Sequence, residues 1–261
     1  MGTQTRIHDA RDRVEDEREA IEAKLGAVDQ FVDRVEHCQP GPTPAAGSVT
    51  ATAGTLSRDS PSGGDTCEAV REAFAETIRP HSLDDVEERE SLPETIQTEL
   101  SESVAVALAP TTNTSFTPEL KQAVLSEART RRAETETLGK ALQREATQLA
   151  DAAAVVDEIT GWIVTADETP LSDLGFEALR ARHERLDTYR ERCETVAMWR
   201  QSFLDGATNN GPEVGVTHRS LGPYLYQDFP TDHPVLTTVA RLADTCGDCQ
   251  RAVRDHLVRR A

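Results

Sequence analysis

The chain has 261 residues and a net charge of −18, from 46 acidic and 28 basic side chains. Aromatic residues make up only 4% of it, so a core must consist mainly of aliphatic side chains, which suits long helices packed along narrow stripes. No apolar run reaches the about 18 residues of a membrane span, and the first residues lack the apolar segment of a secretory signal. We therefore predict a cytoplasmic protein without a membrane partner.

The first predicted element is a helix over residues 1–38, in which an aliphatic residue recurs at every seventh position. These residues are Ile7, Val14, Ile21, Val28 and Val35. Charged residues occupy both possible companion columns, Arg11 and Arg18 in one and Glu17 and Lys24 in the other, which disfavours a parallel two-stranded zipper. We expect this helix to pack against another helix of its own chain or to join an assembly of more than two strands.

Residues 39–66 are predicted to be a disordered linker, because Pro, Gly, Ser, Thr and Ala dominate and no apolar period survives. The remainder, residues 67–261, is predicted to be a helical bundle domain. No sustained alternation typical of strands is present. The expected fold class is all-α, with long amphipathic helices in a bundle or an extended antiparallel hairpin of coiled-coil character.

Capping residues indicate where the first helices of the bundle domain begin and end. A helix over residues 67–79 ends before Pro80, since proline cannot continue it. Ser91 and Glu94 form a capping box, which predicts a helix to about Leu108.

The longest predicted helix opens at Thr117 and Pro118 and extends to about Ile163. Its seam advances in steps of three and four residues, and Glu145 occupies one of the seam positions. Unbroken, the helix would be about 70 Å long, which exceeds the width of a compact domain of this size. We therefore predict a break at Gly139, because glycine is a weak helix former.

Two further helices are predicted in the C-terminal part. The first covers residues 173–204, and residues 206–223 are predicted to be a loop because they are rich in glycine and asparagine. Asp232 and Pro234 are expected to open the last helix.

Cys246 and Cys249 are the first candidates for chemistry, since two thiols at this spacing can bind zinc or cycle as a dithiol. No second pair of ligands and no βαβ unit accompanies them. Both residues lie on the seam of the last helix, so we interpret them as small apolar core residues. A metal or redox protein stays as the lesser alternative.

His183 and Glu184 begin a stretch similar to the HExxH motif of zinc hydrolases, but Asp187 takes the place of the second histidine. No third ligand follows, so an ordinary charged helix face is the simpler interpretation. The sequence also contains no phosphate-binding glycine loop and no nucleophile elbow. We therefore assign no catalytic, cofactor-binding or metal-binding residue, and expect a non-enzymatic protein without a pocket suited to turnover.

Two arginine-rich groups could bind nucleic acid. They are Arg129, Arg131 and Arg132, and the C-terminal Arg251, Arg254, Arg259 and Arg260. Binding would have to overcome the net charge, and aromatic residues for base stacking are scarce. The leading hypothesis is therefore a scaffold that contacts a protein partner or a second copy through its helices, with a nucleic-acid-associated regulator as the alternative.

Three stretches resemble a haloarchaeal family of acidic, coiled-coil-rich helical proteins that contain a domain of unknown function. They are VREAFAETI (70–78), FTPELKQAVLSEA (116–128) and YLYQDFPTDHPVLTTVARL (224–242). The large acid excess suits a salt-rich cytoplasm, where surface carboxylates are screened. The resemblance implies a helical fold and such a cytoplasm, but no activity, cofactor or site residue.

Overall fold

The computed structural model describes the chain in five stretches of residues: 5–41, 63–82, 91–112, 114–206 and 218–259. These residues form eight α-helices and two short 3-10 turns, and no strand. The helices are α1 Arg6–His37, α2 Gly63–Glu76, α3 Leu92–Glu99, α4 Glu102–Leu108, α5 Pro118–Asp167, α6 Phe176–Gly206, α7 His218–Tyr226 and α8 Pro234–Val258. The predicted all-α fold is confirmed.

Packing divides the chain into two compact units. Unit 1 comprises Met1–Arg18 and Lys140–Ala261, and unit 2 comprises Glu19–Gly139. Both boundaries fall inside helices, one in α1 and one in α5. The domain boundaries predicted at residues 38 and 66 rest on composition, whereas helix packing divides the chain elsewhere. Most of the predicted linker lies outside the described residues, but α2 begins at Gly63, inside its last positions.

Helix α1 packs within its own chain in both units. In unit 1, His8 Nε2 lies 3.2 Å from Asp157 Oδ1 on α5. In unit 2, Arg132 Nε of α5 donates to Asp29 Oδ1 over 2.6 Å. The heptad column is buried except for the partly exposed Ile21. Of the two arrangements predicted for this helix, the structure therefore shows packing against its own chain.

Helix α5 runs unbroken for 50 residues, so the predicted break at Gly139 is wrong. The helix, about 75 Å long, serves both units, and no single unit has to be as wide as the helix is long. A Cβ atom at Gly139 would lie 3.4 Å from Ile21 Cγ2, so α1 passes close to this position of α5. The predicted start is confirmed, since Leu120 N donates to the capping Thr117 Oγ1.

Three other predicted boundaries need correction. The capping box at Ser91 is confirmed, but its helix ends at Glu99, and Ser101 caps a separate helix by accepting from Val104 N. Residues 218–223, predicted as part of a loop, belong to α7, with Pro223 inside the helix. The N-cap of α8 is His233 and not Asp232, and no side chain caps it.

Each unit has its own core. In unit 2, Phe31 of α1 meets Phe74 of α2 edge to face, with ring centroids 5.7 Å apart. In unit 1, α6 packs antiparallel to both α5 and α8, and Gln250 of α8 donates to Asp187 of α6 over 3.2 Å. Trp162 of α5 stacks edge to face on the buried Tyr189 of α6.

Candidate functional site

A cleft of about 530 Å³ lies in unit 1. Helices α5, α6 and α7 and the start of α8 contribute its lining residues: Glu145, Arg200, Leu204, Asp205, Leu221, Gly222, Pro223, Tyr226, Asp232 and His233. Its volume falls in the range of about 300–1,000 Å³ that is usual for pockets holding small ligands.

A buried ion pair forms part of the lining. Glu145 and Arg200 are each 3% exposed. The Arg200 guanidinium donates to both carboxylate oxygens, with Nη1 2.9 Å from Oε2 and Nη2 2.6 Å from Oε1. The Tyr226 hydroxyl donates to Oε1 over 2.6 Å. A buried pair of this kind is stable only with such a complete set of hydrogen bonds, because both charges have left water.

The surroundings fix the orientation of both partners. The guanidinium of Arg200 lies over the Phe203 ring, 5.2 Å from its centroid. Burial, the charge of Glu145 and the hydrogen bond to it together raise the pKa of Tyr226 far above its ordinary value. Tyr226 is therefore a hydrogen-bond donor at any physiological pH, which keeps the Glu145 carboxylate in place.

The mouth of the cleft carries further ionisable side chains. Asp205 lies near the end of α6, after the lining residues Arg200 and Leu204, and Asp232 and His233 precede α8. All three ionisable side chains are exposed. Ionisable side chains from several elements therefore line one cleft, an arrangement that the sequence alone does not predict. The sequence signal was Glu145, a carboxylate at a seam position of α5, while Asp232 was taken for a helix cap.

The cleft chemistry favours binding. A carboxylate held by an arginine and a tyrosine is a fixed hydrogen-bond acceptor, and its neighbours on the inner wall are the apolar Leu204 and Leu221. Such a wall can orient a polar group that enters the cleft.

A second buried carboxylate occurs in unit 2. Glu99 of α3 is 4% exposed, and it accepts from Lys24 Nζ of α1 and from Arg131 Nε of α5, each over 2.7 Å. Burial alone would raise the pKa of Glu99, but the hydrogen bonds and charges of the two cations outweigh burial and lower it. Lys24, which disfavours a zipper register in the sequence, is thus the partner of a buried acid.

The cysteines occupy packing positions. Cys246 is buried, whereas Cys249, which the seam interpretation also places in the core, is half-buried. Burial raises the pKa of Cys193 and of Cys246 to about 11, so neither thiol is an activated nucleophile at neutral pH. Cys249 lines a small, mainly apolar cavity of about 180 Å³, together with Trp162 and other residues. Within the described stretches, no group of three or more His, Cys, Asp or Glu residues could hold a metal ion.

The HExxH-like stretch lies on the helix face that α6 turns to α8 and to solvent. The carbonyl oxygen of His183 and Oδ1 of Asp187 both accept from the Gln250 amide of α8. Glu184 lies 3.4 Å from Arg180 on its own helix. The side chains of Asp187 and Glu184 are therefore both engaged within unit 1.

The first arginine-rich group is engaged inside unit 2. Arg129 pairs with Glu36, Arg131 with Glu99 and Arg132 with Asp29. In the second group, Arg251 pairs with Asp248 on the same helix, and Arg254 and Arg259 are exposed. Arg260 lies outside the described residues. The three arginines of the first candidate nucleic-acid patch therefore take part in helix packing.

Comparison with known proteins adds a family but no activity. No helix in the described stretches is both long and apolar enough to cross a membrane. Neither the curated proteins nor the solved structures contain a match to this chain. A family model described as a domain of unknown function, DUF7260, matches residues 5–250. Because this match covers nearly the whole chain, the protein belongs to the DUF7260 family.

Proposed function

We propose that this chain is a non-enzymatic helical interaction protein, a scaffold or adaptor that recognises a protein partner at the cleft of unit 1. The observation that supports this proposal most strongly is the inner wall of the cleft. Its buried carboxylate is already held by Arg200 and Tyr226, so it is preorganised for recognition. A catalytic acid or base, in contrast, needs a proton that it can exchange with its substrate.

The amino-acid composition fits a protein that carries out this function in a salt-rich cytoplasm. A net charge of −18 with few lysines fits a salt-rich cytoplasm, as the haloarchaeal resemblance implies. In molar salt the Debye length falls to about 3 Å, so charges on the open surface attract a partner weakly. A recessed carboxylate is screened less, which favours recognition inside a cleft over recognition by the surface charge.

The test uses a variant that fills the cleft. A Cβ atom at Gly222 would have no heavy atom within 4 Å, and the residue lines the cleft, so Gly222→Arg introduces a long side chain at the cleft. Gly161 on α5 is equally open and lies outside the cleft lining, so Gly161→Arg is the matched control with the same added charge.

The tagged full chain and both variants are incubated with lysate of the source organism in molar potassium chloride, cross-linked, and compared by quantitative mass spectrometry. We expect at least one protein to be retained by the wild type and by Gly161→Arg but lost with Gly222→Arg. Recovery of the same proteins with all three chains, or of none with any, would contradict the proposal.

A further inference from the structure

We infer that the group which enters the cleft is an organic cation, the guanidinium or ammonium end of an arginine or lysine side chain of the partner. This inference rests on the proposed function and names the chemistry of its partner. Three properties of the cleft support it: the balance of charge in its lining, the remaining acceptor capacity of Glu145, and the apolar surface beside it.

The lining is acidic. Even with Asp205 left out, Glu145 and Asp232 contribute two carboxylates against one guanidinium from Arg200, which gives a net charge of −1 with His233 counted as neutral. An anionic ligand would meet this excess in a partly desolvated site, where like charges repel strongly. A cation would restore the balance, so the cleft discriminates by charge.

The buried carboxylate can accept a further hydrogen bond. A carboxylate offers about four lone-pair positions. Arg200 occupies two of those on Glu145, one on each oxygen, and Tyr226 occupies a third. Roughly one position therefore remains on a group that lines the cleft, and hydrogen bonds between a cation and a carboxylate are the strong ones in proteins.

The apolar part of the lining suits the stem of the ligand. Leu204, Leu221 and Pro223 lie beside the acidic groups. Lysine and arginine side chains carry a hydrocarbon stem that packs on apolar surface while the charged end reaches a polar group. An inorganic cation would gain nothing from these residues, whereas a partner's basic side chain uses both kinds of surface.

The mouth of the cleft indicates the source of the cation. The cleft, with a volume of about 530 Å³, leaves room for a neighbouring stretch of polypeptide besides the basic side chain. Pro223 and Tyr224 beside it are exposed, Tyr224 by 40%. Tyrosine is enriched at protein–protein contacts. A basic residue presented by a protein segment therefore fits better than a free amine.

The experiment follows the amide NMR signals of Gly222 and His233 in the full chain during titration with short peptides. One peptide carries an arginine flanked by glycines, and the other carries citrulline, which has the same shape without the charge. We expect the arginine peptide to shift these signals. The citrulline peptide should have an affinity at least about tenfold lower than that of the arginine peptide. Equal binding of the two peptides would overturn the inference.

Two variants and a free ligand localise the effect. Asp232→Asn removes a charge at the mouth, and Asp244→Asn removes one from an exposed position on α8 that does not line the cleft. We expect only the first to weaken binding of the arginine peptide; equal weakening by both would mean attraction to the general surface charge and would overturn the inference. Agmatine, a free alkylguanidinium, should bind more weakly than the peptide, and equal affinity would overturn the assignment to a partner's side chain.

The two proposals fail in different ways. If a protein is retained in a cleft-dependent manner while the arginine peptide leaves the signals unchanged, the inference is wrong and the proposed function stands. If the peptide binds as expected and no protein depends on the cleft, the chemistry of the cleft stands and the scaffold role is wrong.

Discussion

Among the residues that the structure describes, each unit buries one carboxylate, but the two are neutralised differently. In unit 1, Glu145 faces a single guanidinium, and both partners are almost fully removed from water. In unit 2, Glu99 is shared by Lys24 and Arg131, whose side chains are 15% and 28% exposed. The first pair depends on its own hydrogen bonds, whereas the second keeps its cations in contact with solvent. The difference shows two ways of neutralising a buried carboxylate. Glu145 is paired with a cation that is itself buried, whereas Glu99 is paired with cations that remain partly in solvent.

The largest expected effect tests this difference directly. Arg200→Met leaves Glu145 buried without its cation and should lower the free energy of unfolding by about 3–5 kcal/mol. Glu99→Ala leaves two cations that can still reach water, so we expect a smaller loss of about 1–3 kcal/mol. Urea denaturation of both variants at one fixed potassium chloride concentration provides the measurement.

The control for this prediction is a double variant. Replacing both partners, Glu145→Leu with Arg200→Met, removes the uncompensated charge and should recover most of the lost stability. If the double variant is no more stable than Arg200→Met alone, the loss comes from packing and not from an unpaired charge.

A second prediction compares two tyrosines of unit 1. Tyr226→Phe removes the donor to Glu145 and should cost about 1.5–3 kcal/mol, since a hydrogen bond to a charged group is lost. Tyr189→Phe removes a buried hydroxyl that has no hydrogen-bond partner in the described structure, so it should leave stability unchanged or raise it by up to about 1 kcal/mol. Thermal unfolding of the two variants side by side checks the expected difference; equal losses would contradict it.

The third prediction concerns the response of unit 2 to acid. The folded state lowers the pKa of Glu99 below its ordinary value of 4.5. This group therefore stabilises the fold fully above that ordinary value, and its contribution is lost as the pH falls through the lower folded pKa. We expect Glu99→Gln to flatten the acid limb of the stability profile, measured by circular dichroism between neutral and strongly acidic pH. An unchanged limb would mean that other carboxylates govern acid unfolding.

The smallest effect compares two glycines of α5. Gly161→Ala meets open space and should stabilise the helix by about 0.8–1.0 kcal/mol. Gly139→Ala places its methyl group 3.4 Å from Ile21 Cγ2, so the gain should be smaller. Equal gains in urea denaturation would show that α1 yields to the added methyl group.

Much of the fold could be predicted because its signals are local. The heptad column of α1, the capping box at Ser91 and the Thr117 cap each depend on neighbouring residues, and the structure has all three. The predicted break at Gly139 is wrong because α5 belongs to two compact units and not to one. A helix that serves two units may be longer than either is wide, and no local pattern reports that division.

The site was harder to predict, since its residues come from distant parts of the chain. Glu145 and Arg200 are 55 positions apart, and Glu145 and Tyr226 are 81 apart. The only signal in the sequence was Glu145 at a seam position, since a carboxylate buried there requires a polar or cationic partner. Which cation would do so depends on the antiparallel register of α5 and α6, and a sequence without an alignment does not supply that register.

The position of the unit boundaries has a consequence for cutting the chain. In sequence order, unit 2 is nested inside unit 1, and both junctions lie within continuous helices, at Arg18–Glu19 and Gly139–Lys140. A fragment that begins after α1 therefore deprives both units of a helix. To isolate unit 1, the chain must be rejoined from residue 18 to residue 140, whereas residues 19–139 form unit 2 as one uninterrupted piece.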